Sequence, residues 1–489
     1  MIAQHAQILV VILPLLCAPL VLLLGKSRIA VWFTVGVLSV NALLTWWLLL
    51  QVLTIGTLRY SLGNWPAPWG IEYRLDPLGA LLQVMIASIA AVMAPFLRKL
   101  LAEEIGSSRQ YAALVAFILL TAGLLGIVAT GDAFNVFVFL EISSLSTYAL
   151  IAIADKRDAL LASFRYLIVG TIGATFFLIG IGLVYILTGT LNMDDLAVRL
   201  PEVSHTNTTQ IALIFVTIGI AIKAAIWPLH AWLIPCYSYA PRGIVAFLAA
   251  LSTKVALYAL TRFLFGVFPL ADMPIGSVLL EILQLLAIAA MLIGSAAAIA
   301  HSNVRAVLAY SSVAQIGYIT LGLALATSAG VTAAIIHMFN HAFIKGSLFM
   351  CIAILATGSG KHTLESLKGL GHRMPIVGIA LLIGGFSLVG VPLTSGFISK
   401  WFLITALVQA EKWIWIVAVL LSSVMSIIYV WKIVEAVFDK SDDKQVRSYD
   451  LSVDIPIVLL AAVSLYIGIN SSALVSTAEQ ASKWLLGMP

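Results

Sequence analysis

The sequence predicts an all-α integral membrane protein. Two features of its composition predict this class: 62% of the 489 residues are apolar and only 10% are charged. The third observation is that apolar windows of about 20 residues follow one another along the chain, about 14 in all. Soluble proteins are roughly 45–50% apolar, and membrane barrels are excluded because the windows lack the two-residue alternation of barrel strands.

The windows predict one polytopic membrane domain over residues 1–489. The spans are expected at 6–24, 30–55, 76–97, 111–130, 132–154, 163–188, 209–234, 241–265, 277–300, 303–326, 329–357, 375–409, 412–436 and 453–475. The first apolar run lacks a basic flank and a cleavage site, so we expect a retained span and not a signal peptide. No loop is long enough for a soluble nucleotide-binding or electron-carrying domain.

Lysine and arginine are distributed unequally between the two sides of the predicted membrane domain. Seventeen of the 27 lie in loops or at span ends on one side, six in loops or at span ends on the other, and four deep inside spans. Since cytoplasmic loops carry the basic excess, we expect a protein of the cell inner membrane with both termini outside. The net charge of +5 reflects these loops and gives no reason to expect a nucleic-acid partner.

The seventh span, IALIFVTIGIAIKAAIWPLHAWLIP, carries Lys223 near its middle and Pro228 five residues later. A lysine at that depth costs several kcal/mol and marks a functional site. Proline removes a backbone donor and clashes with a carbonyl one turn back, so we expect the helix to break there. A break inside a membrane needs protein or water to satisfy its backbone. His230 either reaches such a cavity or caps the broken helix.

Two other spans contain isolated charges. Glu141 lies about nine residues into the fifth span, and Lys254 lies in the middle of the eighth. A single buried glutamate can be neutral or can support packing. Charges of both signs in separate spans instead predict mutual pairing across a shared cavity, where breaking a pair releases a proton.

The eleventh span contains HMFNHAFIKGSLFM, which places His337, His341 and Lys345 on one helix face. Two histidines at this spacing also occur in zinc sites. A lysine on the same face repels a cation, however, and no HExxH glutamate follows. We therefore expect no metal, and we interpret the face as a proton relay with a purely structural role as the alternative.

The twelfth span resembles the seventh in its design. Pro392 interrupts it between two glycines, and Lys400 follows in an apolar setting. Two interrupted spans, each with a lysine, predict two inverted five-helix repeats, at 111–265 and 277–436, with a site near the midplane. Gln315, in the tenth span, is polar enough to hold water between the charged groups.

Five segments together resemble a known family. They are GDAFNVFVFLEISSLSTYALIA, IKAAIWPLHAWLIPCYSYAP, VRAVLAYSSVAQIGY, HMFNHAFIKGSLFM and VPLTSGFISKW. In this order they resemble the antiporter-like subunits shared by Mrp cation/proton antiporters and respiratory complex I. The resemblance implies a gating pair at Glu141 and Lys223. It also implies a proton route that continues through Lys254, His337, His341 and Lys400.

The lysine at position 400 and the glutamine at position 315 make the chain look like the D-type component of an Mrp antiporter. Complex I subunits of this size usually have glutamate and histidine there.

The first hypothesis is therefore a proton-translocating subunit of a multisubunit Na+/H+ antiporter, with other membrane subunits, H+, Na+ and lipid as partners and no cofactor. The second is a proton-pumping subunit of an NADH-quinone oxidoreductase or membrane hydrogenase. The third is a scaffold whose buried charges are packing ion pairs.

Overall fold

The computed structural model describes residues 2–25, 28–106, 109–154, 156–355, 362–440 and 450–488. Four of the basic residues used to predict orientation, Lys26, Lys361, Lys444 and Arg447, lie outside these ranges. The first ten helices are α1 (Ile2–Leu24), α2 (Arg28–Ile55), α3 (Pro77–Ile105), α4 (Gln110–Ala129), α5 (Ala133–Ala152), α6 (Arg157–Thr188), α7 (Met193–Arg199), α8 (Asn207–Ala224), α9 (Leu233–Tyr239) and α10 (Arg242–Gly266).

Nine further helices complete the described chain. They are α11 (Gly276–Ala300), α12 (Val304–Ala324), α13 (Ser328–Leu355), α14 (Leu370–Arg373), α15 (Pro375–Val389), α16 (Ser395–Gln409), α17 (Trp413–Phe438), α18 (Leu451–Ile469) and α19 (Ser472–Leu485). The predicted all-α membrane fold is confirmed. By length and composition, 13 of the described helices could cross a membrane, or 14 if the segment Leu364–Arg373 and α15, which meet at 119°, are one span.

A small β-hairpin stands outside the helical pattern. Strands β1 (Leu58–Ser61) and β2 (Glu72–Leu75) pair antiparallel between α2 and α3. The hairpin was not predicted, because strands of four residues in a loop give too short a pattern to recognise. It leads directly into α3, where Asp76 accepts a hydrogen bond from the backbone of Gly79 and thereby caps the helix.

Both predicted helix breaks are present. The seventh span divides into α8 and α9, because α8 ends at Ala225 in the left-handed conformation. The twelfth divides into α15 and α16, because Gly390 ends α15 at φ 90° and an extended Thr394 precedes α16. At Gly396 a side chain would meet the carbonyl oxygen of Ser387, so the glycine lets the two half-helices approach each other closely.

The centre of the molecule is α13. It is buried along its whole length, and α10 and α12 beside it are almost fully buried. It packs against α10, α12, α15, α16, α18 and α19. Helices α1, α2, α6, α11 and α17 instead expose large apolar side chains, as expected for surfaces that face lipid or other membrane proteins. The charged residues predicted to form the site lie mainly on the buried inner helices.

Candidate functional site

Lys223 and Glu141 form an ion pair next to the first helix break. Lys223 lies in the last turn of α8 and is 5% exposed. Its Nζ lies 3.4 Å from Oε1 of Glu141 on α5 and donates a 2.7 Å hydrogen bond to Oγ of Ser144. Ser144 shares a helix face with Glu141 at i+3. Two of the three charges for which mutual pairing was predicted are therefore paired, with a hydroxyl as an additional partner. The third, Lys254, forms no ion pair with them within the described ranges.

The backbone of the first break is satisfied by protein groups. The indole of Trp232 donates a 2.8 Å hydrogen bond to the carbonyl oxygen of Ile222, which lies at the end of α8. The carbonyl of His230 accepts a hydrogen bond from the backbone of Leu233, while Nδ1 of its ring has no partner in the described ranges. Pro228 is exposed at the surface of the chain. It was expected to line the cavity, but the interior-facing groups are carbonyls and the indole.

Lys254 is completely buried in the middle of α10. Its Nζ donates to the carbonyl oxygen of Ala249, and within the described ranges it forms no ion pair with a carboxylate. Helix α10 packs against both α8, which carries Lys223, and α13, which carries the histidine face. The helix of Lys254 thus contacts the helices of both groups, while its place in the series stays a prediction.

The two histidines of α13 stack on each other, with ring centroids 5.8 Å apart and an angle of 9° between the rings. Nδ1 of His337 lies 2.7 Å from Oγ of Ser399, and Nε2 lies 2.9 Å from Oε1 of Gln315. Neither nitrogen of His341 has a hydrogen-bond partner among the described residues, although the residue is fully buried. Gln315 was expected to hold water between the charged groups, and in the structure its side chain contacts His337 directly.

Lys345, one turn beyond His341, points toward α12. Its Nζ donates to the carbonyl oxygen of Leu308 at 2.8 Å and to Oγ of Ser311 at 2.5 Å. It is fully buried and shares the histidine face of α13, as predicted. Its contacts nevertheless place it beside the row of Lys254 and the histidines, toward α12, and not between Lys254 and Lys400.

Lys400 occupies the second break. It lies on α16 and reaches back to the end of α15, where it donates to the carbonyl oxygens of Leu388 at 3.2 Å and Val389 at 2.7 Å. Oγ of Ser423 accepts a third hydrogen bond, and the ammonium lies 4.9 Å from the ring centroid of Tyr318. Pro392, like Pro228, is exposed and does not line this interior.

The structure brings members of the predicted row, which is Glu141, Lys223, Lys254, His341, His337 and Lys400, together in two contacting groups. Lys223 contacts Glu141, and His341 stacks on His337, which Ser399 links to the helix of Lys400. The continuity of the row from one group to the next stays a prediction. Sequence reasoning missed the hydroxyl groups that contact its members, those of Ser144, Ser399 and Ser423. For Ser144 the available signal was its i+3 spacing from Glu141. The described residues contain no group of three or more histidine, cysteine, aspartate or glutamate side chains that could hold a metal ion.

Comparison with known proteins decides the family. The family model described as NADH:quinone oxidoreductase/Mrp antiporter, TM, matches residues 130–426, which is more than half of the chain. The chain belongs to this family. The matched region contains every site residue from Glu141 to Lys400, so the resemblance seen in the five sequence segments is confirmed.

Members of the family with different roles are similar to the chain. NADH-quinone oxidoreductase subunit N of Desulforudis audaxviator is 40% identical over 89% of this chain and 87% of its own length. The D-type component of the Na(+)/H(+) antiporter of Bacillus subtilis is 30% identical over 98% of this chain and 97% of its own. A chain of the membrane-bound sulfane sulfur reductase, an archaeal respiratory membrane complex, superimposes with a TM-score of 0.92 at 33% identity, covering 98% of this chain and 97% of that one.

Proposed function

We propose that the chain is the proton-translocating membrane subunit of a multisubunit monovalent cation (Na+)/H+ antiporter. The observation that carries this proposal is the series of ionisable side chains on the membrane helices, all buried except the half-buried Glu141, which we interpret as one row: Glu141, Lys223, Lys254, His341, His337 and Lys400. Buried ionisable groups in membrane helices typically mark ion paths. The likeness to a component of an Na(+)/H(+) antiporter over nearly the whole chain supports the choice of exchanged ions.

In the proposed mechanism, the ion pair between Glu141 and Lys223 controls entry to the row. While the two groups are paired, the carboxylate stabilises the charge on the lysine. Separation of the pair removes that stabilisation, and Lys223 then releases its proton toward Lys254. Because a buried lysine loses its proton readily, each lysine can accept and pass on a proton in turn.

The second half of the row continues the transfer. The rings of His337 and His341 stack on each other, so a proton on one disfavours a second proton on the other, because like charges repel. Lys400, beyond Ser399, is the last member. Its ammonium is stabilised by the carbonyl end of α15, where the helix dipole favours a positive charge.

A second candidate function is proton pumping within a redox complex. Two similarities favour it: the 40% identity to an NADH-quinone oxidoreductase subunit N and the TM-score of 0.92 with a chain of a respiratory membrane complex. The same row would then move protons, and partner subunits would supply the redox chemistry. Both candidates place the chain among other membrane subunits, for which the exposed apolar faces of α1, α2, α6 and α17 offer surfaces.

The test uses the intact complex, purified through a tag on this chain and reconstituted into vesicles with an internal pH indicator. We expect Na+ addition to move protons if the complex is an antiporter, and reductant with quinone or sulfur acceptor to do so if it is a redox pump. Glu141→Ala and Lys223→Ala should each abolish this movement. Lys412→Ala, at an exposed lysine, is the matched control and should transport normally.

Two results would contradict the proposal. Wild-type proton movement in Glu141→Ala and Lys223→Ala would show that the pair serves packing alone, as in the scaffold hypothesis. The second result would come from mass spectrometry of the purified complex. Hydrophilic redox subunits accompany a respiratory enzyme, so their presence would contradict the antiporter, whereas small membrane subunits would support it.

A further inference from the structure

Three cavities lie in sequence between Lys223 and the surface near the β-hairpin. The first, the lysine cavity, has a volume of about 20 Å³ and is lined by Lys223, Ser144, Ser252 and Ile127 among others. A water molecule needs roughly 10–15 Å³ and two to four polar partners. Lys223, Ser144 and Ser252 supply these partners, and no described residue forms a hydrogen bond with the buried Oγ of Ser252.

The second, the arginine cavity, has a volume of about 10 Å³ and is lined by Arg74, Thr130, Tyr258, Arg262 and Ile127. Within the part of the chain that the structure describes, Nη1 of the fully buried Arg262 has no hydrogen-bond partner. A buried guanidinium nitrogen without a partner requires water, so this cavity too is suited to a single water molecule.

The third, the surface cavity, has a volume of about 620 Å³ and is lined by Arg74, Asp194 and Trp484. Arg74 lines both the surface cavity and the arginine cavity. The guanidinium of Arg262 in the arginine cavity is held in place by two hydrogen bonds. It donates to Oδ1 of Asp76 at 2.5 Å and to the hydroxyl of Tyr258 at 2.9 Å.

Among the described residues, only Ile127 on α4 lines both the lysine cavity and the arginine cavity. It is 2% exposed. Its side chain thus separates two spaces suited to water, while polar groups lie on either side of it. Apolar constrictions of this kind close water paths by excluding water from a short section.

We propose that Ile127 is the hydrophobic gate of a water path that joins Lys223 to the surface cavity through Arg262 and Arg74. The inference rests on the proposed role of Lys223 in carrying protons, and it adds a branch from the row to one membrane surface. With Ile127 in place the section between the lysine cavity and the arginine cavity is dry, and the branch is closed. When the side chain moves aside, a water file connects the lysine to the surface. Coupled transport requires the branch to be closed whenever the row is open to the other side.

The test measures passive proton leak in vesicles that contain the complete complex, without Na+ or reductant. Ile127→Ser should wet the constriction and accelerate the decay of an imposed pH gradient about tenfold. Leu124→Ser is the matched control. Leu124 is buried on the same helix one turn earlier and lines the lysine cavity but not the arginine cavity. The Leu124→Ser variant should leak protons at the wild-type rate. Ile127→Val, which keeps the side chain apolar, should do the same.

A leak in Ile127→Ser no faster than in Leu124→Ser would overturn the gate. If Ile127→Ser fails to assemble, Ile127→Ala takes its place, with an expected increase of about threefold, and a wild-type leak there overturns the gate equally. The proposed function is judged separately. If Lys223→Ala abolishes coupled transport while the Ile127 variants do not leak, the proton row stands and only the gate is wrong.

Discussion

The Nζ atom of Lys400 lies 2.7 Å from the carbonyl oxygen of Val389, the last residue of α15. A lysine on α16, after the break, therefore donates a hydrogen bond to the last carbonyl of α15, before the break. The last carbonyls of a helix have no partner within the helix and carry its negative end. The ammonium of Lys400 thus gives the terminal carbonyls of Leu388 and Val389 a hydrogen-bond donor, and the negative end of α15 in turn stabilises its positive charge.

Replacement of Lys400 tests this double role. Lys400→Met should abolish proton movement by the complex, because the row loses its last member. Ser423→Ala removes one of the three hydrogen bonds of the ammonium, so it should lower stability by about 1 kcal/mol and retain transport. Proton movement in vesicles and the thermal midpoint of the complex provide the two measurements. Normal transport in Lys400→Met would show that the residue only caps α15.

The buried charge of Lys254 should lower the stability of the complex and be necessary for proton transport. It is fully buried and, within the described ranges, has no carboxylate partner. A lysine at the centre of a membrane helix costs about 2.5–3.5 kcal/mol on insertion scales. Lys254→Met should therefore raise the thermal midpoint of the complex while abolishing proton movement. Lys432→Met, at a partly buried lysine of α17, should change neither. A lower midpoint in Lys254→Met would contradict the cost assigned to this charge.

Asp76 should contribute strongly to stability through Arg262. Burial by itself raises the pKa of this carboxyl group, but the Arg262 guanidinium overcomes that effect and holds the pKa below its usual value. Removal of one partner leaves the other charge buried alone, which costs about 3–5 kcal/mol. We expect Asp76→Ala to lower the thermal midpoint clearly. Asp195→Ala, which breaks a more exposed ion pair with Arg199, should cost less than about 1 kcal/mol. Equal effects of the two variants would argue against a strong buried pair.

The contact between Lys99 and Asp450 should make stability depend on pH. The hydrogen bond from Lys99 lowers the pKa of Asp450 from its usual 3.8 to about 2. Because the folded-state pKa is below the unfolded one, the stabilisation is present above about pH 4 and is lost as the pH falls through about 2. The thermal midpoint of the wild-type complex should therefore fall more steeply across this range than that of Asp450→Asn. Parallel curves for the two proteins would contradict the assignment.

Side chains whose chemistry conflicts with the bilayer were predictable from the sequence. Lys223, Lys254 and Lys400 stand out because charge in an apolar span is costly, and Pro228 and Gly390 identify the breaks because each disrupts helix geometry. The relation between the two five-helix blocks stays a prediction.

Features that depend on the packing of distant helices were not predictable. The exposure of Pro228 and Pro392, the direction of Lys345 toward Ser311, and the position of Ile127 between two cavities all depend on neighbours far apart in the chain. No local pattern specifies which neighbour a buried side chain meets.

The unequal surroundings of the two stacked imidazoles have a consequence for the proposed path. Because neither nitrogen of His341 has a hydrogen-bond partner among the residues that the structure describes, a change of its tautomer breaks no hydrogen bond to them. His337 is held at one nitrogen by Gln315 and at the other by Ser399, so its tautomer changes only when one of those side chains rotates. A proton can leave His341 from either nitrogen, whereas reorientation of Gln315 or Ser399 determines the sense of travel at His337.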